Sequence, residues 1–413
     1  MPTRSQLWPA ARITFTAALL LFITTIVIGI LNGLDVYKPD HDTLITHVHA
    51  GTLGWITLGV SGVALLMFSG DRQLSADEVR RGRSLAWSIT GVIALYVAAF
   101  LAGDRIPGDR IQRPMVGTLL LLVVIWFLVW LFKSNSTFDR PSVARLGLIL
   151  AWISLLVGAV FGITLGIFTS QGEVPGLSDD TATAIADAHP PAMVIGFLIL
   201  ASMAIIEWLL AGDKWSRSGA TQMWLLFSAG ILVNIGFVSG LEEELLGPAN
   251  LLMIAGVVTL VVRFWDKVAP SGWRGAGTGV FPRMSVLFLV VYLVLGTILI
   301  VRIVSGVMDF DALTDAEFGL VLSFDHVMFI GVMTNLMFGV LASRLHPSAL
   351  TAADRILLWG VNIGIAGFAV GLMTVTAAIK RTFTPIMGTA LLIGIAAYVM
   401  ELNRSEDRAT VGF

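Results

Sequence analysis

The side chains in this sequence best suited to chemistry are its histidines, above all the pair in Thr46-His47-Val48-His49-Ala50-Gly51. Two more follow at near-equal steps: His189 comes 140 residues after His49, and His326 comes 137 residues after His189. Neutral imidazole is a ligand for haem iron, copper and zinc. The chain has no cysteine. That excludes disulfides, thiolate-ligated haem, iron–sulfur clusters, covalently attached c-type haem and Cys-based copper centres. What remains is imidazole ligation. Met193 and Met328 stand near these histidines either as soft donors or as ordinary gap-filling residues.

Spacing adds a constraint. Residues i and i+2 of a helix point about 200° apart, so His47 and His49 cannot grip one ion from a regular helix. They face two neighbouring compartments, one expected to be shared with His326 and the other with His189. Either member of the pair could serve His326. His189 is followed by Pro190 and Pro191, which suits a helix start and would put it at a helix end, more exposed than the others. Gly51, Gly54 and Gly59 after His49, and Gly331 and Gly339 after His326, permit close approach of a helix or a flat macrocycle.

The elements that must position these residues are membrane helices. With 56% hydrophobic and only 13% charged residues, the composition is outside the soluble globular range. Apolar runs long enough to span a bilayer recur throughout. The spans are read as 11–34, 43–69, 84–102, 115–132, 146–169, 188–211, 220–240, 249–265, 284–307, 318–343, 356–379 and 382–400. The fold class is therefore an all-α polytopic membrane protein of twelve transmembrane helices. It forms one integral domain, 1–413, of three four-helix repeats at about 11–132, 146–265 and 284–400. The first run is too long for the apolar core of a signal peptide and is read as a retained helix. No basic cluster suggests a nucleic-acid partner; the partner is the lipid bilayer.

Charge asymmetry orients the chain. With the N-terminus inside, 19 Lys and Arg residues fall on the cytoplasmic side, Arg4 and Arg408 among them, and 6 fall outside: Lys38, Arg105, Arg110, Arg113, Lys380 and Arg381. Arg302 lies within a span. Both termini are thus expected in the cytoplasm and the protein in the inner (cytoplasmic) membrane. The outer connections are acidic, with Glu173, Asp179, Asp180 and Asp187, then Glu242, Glu243 and Glu244, then Asp309, Asp311, Asp315 and Glu317. Such loops steer cations or a basic electron donor, or are simply solvated. At about 1.5 Å per residue, His49, His189 and His326 lie roughly 27–36 Å above the cytoplasmic surface, in or near the outer third of the bilayer. An ionisable side chain at that depth is costly unless it is used. His41 belongs to the outer side, and His346, the sixth histidine, to a cytoplasmic loop.

Twelve helices in three arcs, with histidines in the outer halves of helices 2, 6 and 10, resemble the catalytic subunit of the haem–copper oxidase superfamily. Locally, His47-Val48-His49, the stretch from Asp325 to Gly331 and the stretch from Phe338 to Arg344 resemble the NnrS family, a haem- and copper-containing branch linked to nitric oxide metabolism. The resemblance implies a b-type haem between His326 and either His47 or His49, with His189 as a copper or second-site ligand. It places Lys380 and Arg381, in the outer loop between helices 11 and 12, over the haem propionates; on their own, these two are interfacial anchors. The pattern departs from the oxidases: helix 7 has no histidine, helix 10 has one, and Met193 stands where a tyrosine would follow His189. A three-histidine copper site with a crosslinked tyrosine is therefore not built, and oxygen reduction with proton pumping is not expected.

The expected function is a haem-binding membrane protein doing redox or nitric oxide-related chemistry at the outer face, with an external electron donor if it turns over. Two rivals stand beside it: a metal-ion or small-solute transporter with a histidine/methionine site, and a non-catalytic haem sensor or assembly subunit. Glu207 is a candidate proton-path residue or an interfacial one, and Trp55, Trp87 and Trp126 are read as packing and belt residues.

Overall fold

The computed structural model describes residues 5–103, 110–308, 312–347 and 349–410, with side chains to Arg404. Arg4, Arg105, Asp309, Asp311 and the side chain of Arg408, invoked above, lie outside the described residues. Among the described residues, twelve helices are long and apolar enough to cross a membrane. They are α1 (Trp8–Gly33), α2 (His41–Ser69), α3 (Ala76–Ala102), α4 (Gln112–Asn135), α5 (Val143–Gln171), α6 (Asp179–Ala211), α7 (Arg217–Ser239), α8 (Glu242–Arg263), α9 (Gly277–Val304), α10 (Asp315–Leu345), α11 (Ala352–Met373) and α12 (Ala377–Arg404).

Polar residues at the ends set where the helices begin. Asp40 accepts a hydrogen bond from the Thr43 N–H at 2.7 Å to start α2. Ser75 with Glu78, Thr314 with Glu317 and Thr351 with Asp354 form reciprocal capping boxes on α3, α10 and α11. Each satisfies amide groups that bilayer hydrocarbon could not.

The twelve helices divide into two layers. In α2, α6 and α10, 89, 72 and 83% of the apolar window is buried within the protein, against 39–56% in the other nine. Every fourth helix is therefore interior. The interior helices pack on the helix before them: α2 on α1, α6 on α5, α10 on α9. The remaining helices pair as α3 with α4, α7 with α8 and α11 with α12, and contacts of α4 with α5, α8 with α9 and α12 with α1 close the ring.

All three interior helices are interrupted in the same way. A widened π-helical segment occupies Ala50–Thr57 in α2, Ala192–Leu198 in α6 and Val327–Thr334 in α10. Such segments leave carbonyls without their usual partner, so they need a local cause. In α2 and α10 the last residue of the segment is a threonine whose hydroxyl donates to the carbonyl five residues back, Thr57 to Thr52 and Thr334 to Phe329, both at 2.9 Å. In α6 the cause is Pro190-Pro191, which removes two amide donors.

Two sequence expectations are corrected here. His189 is not at a helix start: α6 begins at Asp179, capped by Ser178, so the prolines lie inside the helix and His189 sits two to three turns in. Lys380 and Arg381 are not in a loop. α11 stops at Met373 because Thr374-Val375-Thr376, with Val375 at φ 51°, turns the chain, and α12 starts at Ala377. The basic pair therefore occupies the first turn of α12, where apolar counting misses it. Trp55 is a packing residue, as expected: it is buried, stacks on Phe22 at 4.8 Å and donates its indole N–H to Thr334 at 3.0 Å, tying α2 to α10. Trp87 and Trp126 are exposed on the outer surface of the ring, as expected.

Candidate functional site

The three π segments give a common register for the interior helices. Each begins three residues after a fixed position: His47 in α2, His189 in α6, Phe324 in α10. Two residues beyond that position stand His49, Pro191 and His326. The first set faces the preceding outer helix. His47 Nδ1 lies 2.9 Å from the Thr25 carbonyl of α1, and His189 Nδ1 lies 2.8 Å from the Gly158 carbonyl of α5. Four residues on, glycines meet the rings: a Cβ on Gly29 would lie 3.1 Å from His47 Cε1, and one on Gly162 2.7 Å from His189 Cε1. On the third interior helix Gly296 of α9 meets the Phe324 ring in the same way, and Tyr292, four residues earlier, stacks on it at 4.2 Å.

The second set bonds to its own helix. His49 Nδ1 lies 2.9 Å from the Ile45 carbonyl and His326 Nδ1 2.7 Å from the Leu322 carbonyl, each four residues back. Each also rests on a phenylalanine from an outer helix: His49 on Phe100 of α3 at 4.0 Å, His326 on Phe368 of α11 at 5.1 Å.

These bonds decide the tautomer. A carbonyl oxygen only accepts, so all four Nδ1 atoms carry the proton and all four Nε2 atoms keep their lone pairs. Each ring thus offers Nε2 as its acceptor nitrogen. All four histidines are partly buried.

The structure pairs His47, not His49, with His326: their ring centres are 6.5 Å apart, at 32° to one another. A metal–nitrogen bond of about 2 Å on each side, plus about 1 Å from each nitrogen to its ring centre, puts two axial imidazoles roughly 6 Å apart. The observed spacing fits. His49 and His189 lie within electrostatic reach of each other in the neighbouring compartment. Among the described residues no three His, Cys, Asp or Glu side chains come together as a metal cluster. A bare ion wants three or four protein ligands, whereas a macrocycle brings four of its own; paired imidazoles suit the second.

Basic side chains stand at the helix ends nearest these histidines. Lys380 and Arg381 reach from α12 to Asp35, just beyond α1, at 2.7 and 2.9 Å. The bond from Lys380, then that from Arg381, holds the Asp35 carboxyl below the ordinary carboxylate range. Asp35 lies six residues past Gly29, about 9 Å along the axis from the level of His47. Reading the sequence missed the matching feature over His49. There Arg113, at the start of α4 and 5% exposed, contacts Asp42 at 2.6 Å and lies 4.8 Å over the Phe100 ring, which itself stacks on His49. Its Nε has no partner among the described residues. A buried arginine in a helix's first turn, 64 residues from its aromatic neighbour's stacking histidine, leaves no mark in hydropathy.

The other ionisable candidates are structural and lie toward the opposite end of the helices. Glu207 is buried and forms a two-point ion pair with Arg263 at 2.7 and 2.9 Å, and Arg263 also binds Gln222 and Ser216. This network ties α6, α7 and α8. His346 joins Asp354, which Tyr398 also engages.

Compared with known proteins, the chain matches no family model and no curated sequence. Fold and site together define an all-helical protein with twelve helices, among the described residues, long and apolar enough to cross a membrane, and with the imidazoles of His47 and His326 paired between two interior helices.

Proposed function

We propose that this chain is a haem-binding integral membrane protein that passes electrons at its outer face, with His47 and His326 as the two axial ligands of a b-type haem. The observation that carries the reading is the 6.5 Å separation of two rings from different helices, both with Nε2 lone pairs and Nδ1 protons already committed. A haem bound there supplies one-electron chemistry; the chain's part is to ligate it, bury it and balance its charge. Lys380 and Arg381 form with Asp35 a cluster of net charge +1, suited to propionates near the outer surface. With protein ligands on both sides, electron transfer is favoured over direct binding of a small molecule. Nitric oxide chemistry requires one imidazole to let go.

The same proposal includes the architecture: three like units of four helices, as in the haem–copper oxidases, with both termini cytoplasmic by the charge asymmetry. The repeated α–π–α interior helix and the repeated glycine–imidazole contact support the three units. The NnrS-like stretches, which include the histidines of α2 and α10, support the link to nitric oxide. A copper ion at His189 has only paired imidazoles to draw on. Transport and haem sensing are outcomes of the test below.

The visible spectrum of the purified protein tests the reading. A Soret band with sharp reduced α and β bands, lost in both His47→Ala and His326→Ala, is expected. A colourless protein loaded with copper or zinc would favour transport. Oxidation of an artificial reductant, or consumption of nitric oxide, by the wild type but not by those variants separates a redox protein from a sensor.

A further inference from the structure

Two of the outer helices, α11 and α12, approach each other through short side chains. A Cβ on Gly360 would lie 2.5 Å from that of Ala390, and one on Gly394 2.4 Å from the Leu357 side chain. Where short residues meet between longer neighbours, a furrow is left between the helices. Here it encloses about 450 Å³ on the surface of the ring. Gly360 and Ala390 meet in it, and Ile356, Ile386 and Ile393, each 41–44% exposed, line it with Thr389. Thr389 is its one polar side chain among the described residues. A polar head group finds almost nothing to bond there, whereas a hydrocarbon chain needs no partner.

Two arginines stand at one end of the furrow. Arg355 immediately precedes Ile356 near the start of α11. Arg404 continues the stripe Ile386, Ile393, Ala397 and Met400, whose steps of seven, four, three and four residues keep one face of α12. Tyr398 donates to Asp354, so Arg355 is level with that turn of α12. Arg404 lies six residues beyond Tyr398, about 9 Å farther along the axis. Helical side chains lean toward the N-terminus of their own helix. Arg355 therefore leans away from the furrow and Arg404 back toward it, and the two arms close on one level. Both are exposed, and neither forms an ion pair among the described residues. The acids beside them are engaged elsewhere: Asp354 is buried against His346 and Tyr398, and Glu401 faces His346 at 3.6 Å.

We propose that this furrow binds an anionic phospholipid, with one acyl chain between α11 and α12 and the phosphate held by Arg355 and Arg404. The length fits. From Tyr398 to Ile386 is twelve residues, about 18 Å, close to the roughly 15 Å depth of hydrocarbon in one leaflet. The charge fits as well, because guanidinium binds phosphate through two points and basic residues at a membrane surface attract anionic lipid. A zwitterionic lipid gains the same chain contacts without the net attraction. The site is independent of haem and would tie α11, which carries Phe368 against His326, to the leaflet that surrounds it.

Native mass spectrometry of the delipidated full-length protein in detergent, titrated with dioleoyl phosphatidylglycerol or dioleoyl phosphatidylcholine, tests the proposal. One phosphatidylglycerol is expected to bind at least about tenfold tighter than phosphatidylcholine. The double variant Arg355→Gln/Arg404→Gln should lose that preference and keep the phosphatidylcholine affinity. Thr389→Phe, which fills the furrow, should weaken both lipids. The two arginines are exposed, so the double variant decides the matter even if Thr389→Phe does not fold. Glycerol 3-phosphate should not displace the lipid, and full displacement would show an anion site without a chain. Equal affinity for the two lipids in the wild type overturns the proposal. So does an undiminished preference in the double variant, or a dimer that Thr389→Phe dissociates, which would make the furrow a seat for a second copy of the chain.

Discussion

Gly162→Ala and Gly29→Ala are chemically the same change at corresponding positions, and the structure predicts different results. A Cβ on Gly162 would lie 2.7 Å from His189 Cε1 and 3.0 Å from Nδ1. Ordinary contact begins near 3.4 Å, so the ring must retreat by about 0.7 Å. It cannot swing aside freely, because Nδ1 is held by the Gly158 carbonyl on the same helix face. On Gly29 the new Cβ would lie 3.1 Å from His47 Cε1, asking for about 0.3 Å, which helices accommodate by small shifts. Meanwhile alanine favours the helix over glycine by about 1 kcal/mol at either site. Gly162→Ala should therefore shift the His189 imidazole resonances while melting no lower than the wild type, and Gly29→Ala should leave those of His47 near their wild-type positions. Spectra of the histidine-labelled protein and thermal unfolding in detergent are the assays. Unmoved His189 resonances in Gly162→Ala, or a larger shift of His47 in Gly29→Ala, would refute the reasoning.

Other perturbations have equally definite outcomes. Glu207→Ala leaves Arg263 facing Gln222 and Ser216 with its counter-charge gone, and should cost about 3–5 kcal/mol in unfolding free energy, whereas an unchanged midpoint would argue against the network. Thr334→Val strands the Trp55 indole N–H and the Phe329 carbonyl; a loss of about 1–3 kcal/mol is expected, with a shift in the reduced haem band because α10 must relax beside His326. The Asp35 clamp is set by pH: its folded carboxyl titrates below the ordinary 3.8, so the stabilisation it gives is present above that value and is lost as pH falls through the lower folded one. Acid titration of the wild type between pH 5 and 2 should loosen the outer end, seen as faster hydrogen exchange at the start of α12. Asp35→Asn should show the loosened state throughout, and identical titrations would discount the clamp.

Much of this was legible before any coordinates. Hydropathy alone marks twelve spans, because bilayer hydrocarbon demands long apolar runs whatever the helices pack against. The errors fall where helices extend past that hydrocarbon. Lys380, Arg381 and Arg113 belong to first turns that caps and interhelical aspartates stabilise, so a window seeking apolar residues stops short of them. His189 was misplaced because Pro190-Pro191 usually opens a helix, while here a π segment absorbs the missing donors inside one.

By itself the sequence determined that this is an all-helical chain with twelve apolar spans, that histidines recur on every fourth span, and that His47 and His49 must look in opposite directions. Those statements follow from period, length and solvation along a single helix. Only the tertiary structure decided that His47 meets His326, that Phe324 stacks on Tyr292, and that Arg113 lies over the Phe100 ring on which His49 rests. Such facts depend on which helix lies beside which and in what register. That is settled by the close approach of Gly29, Gly162 and Gly296 to their rings and by carbonyls freed in three π segments, none of which a one-dimensional pattern records.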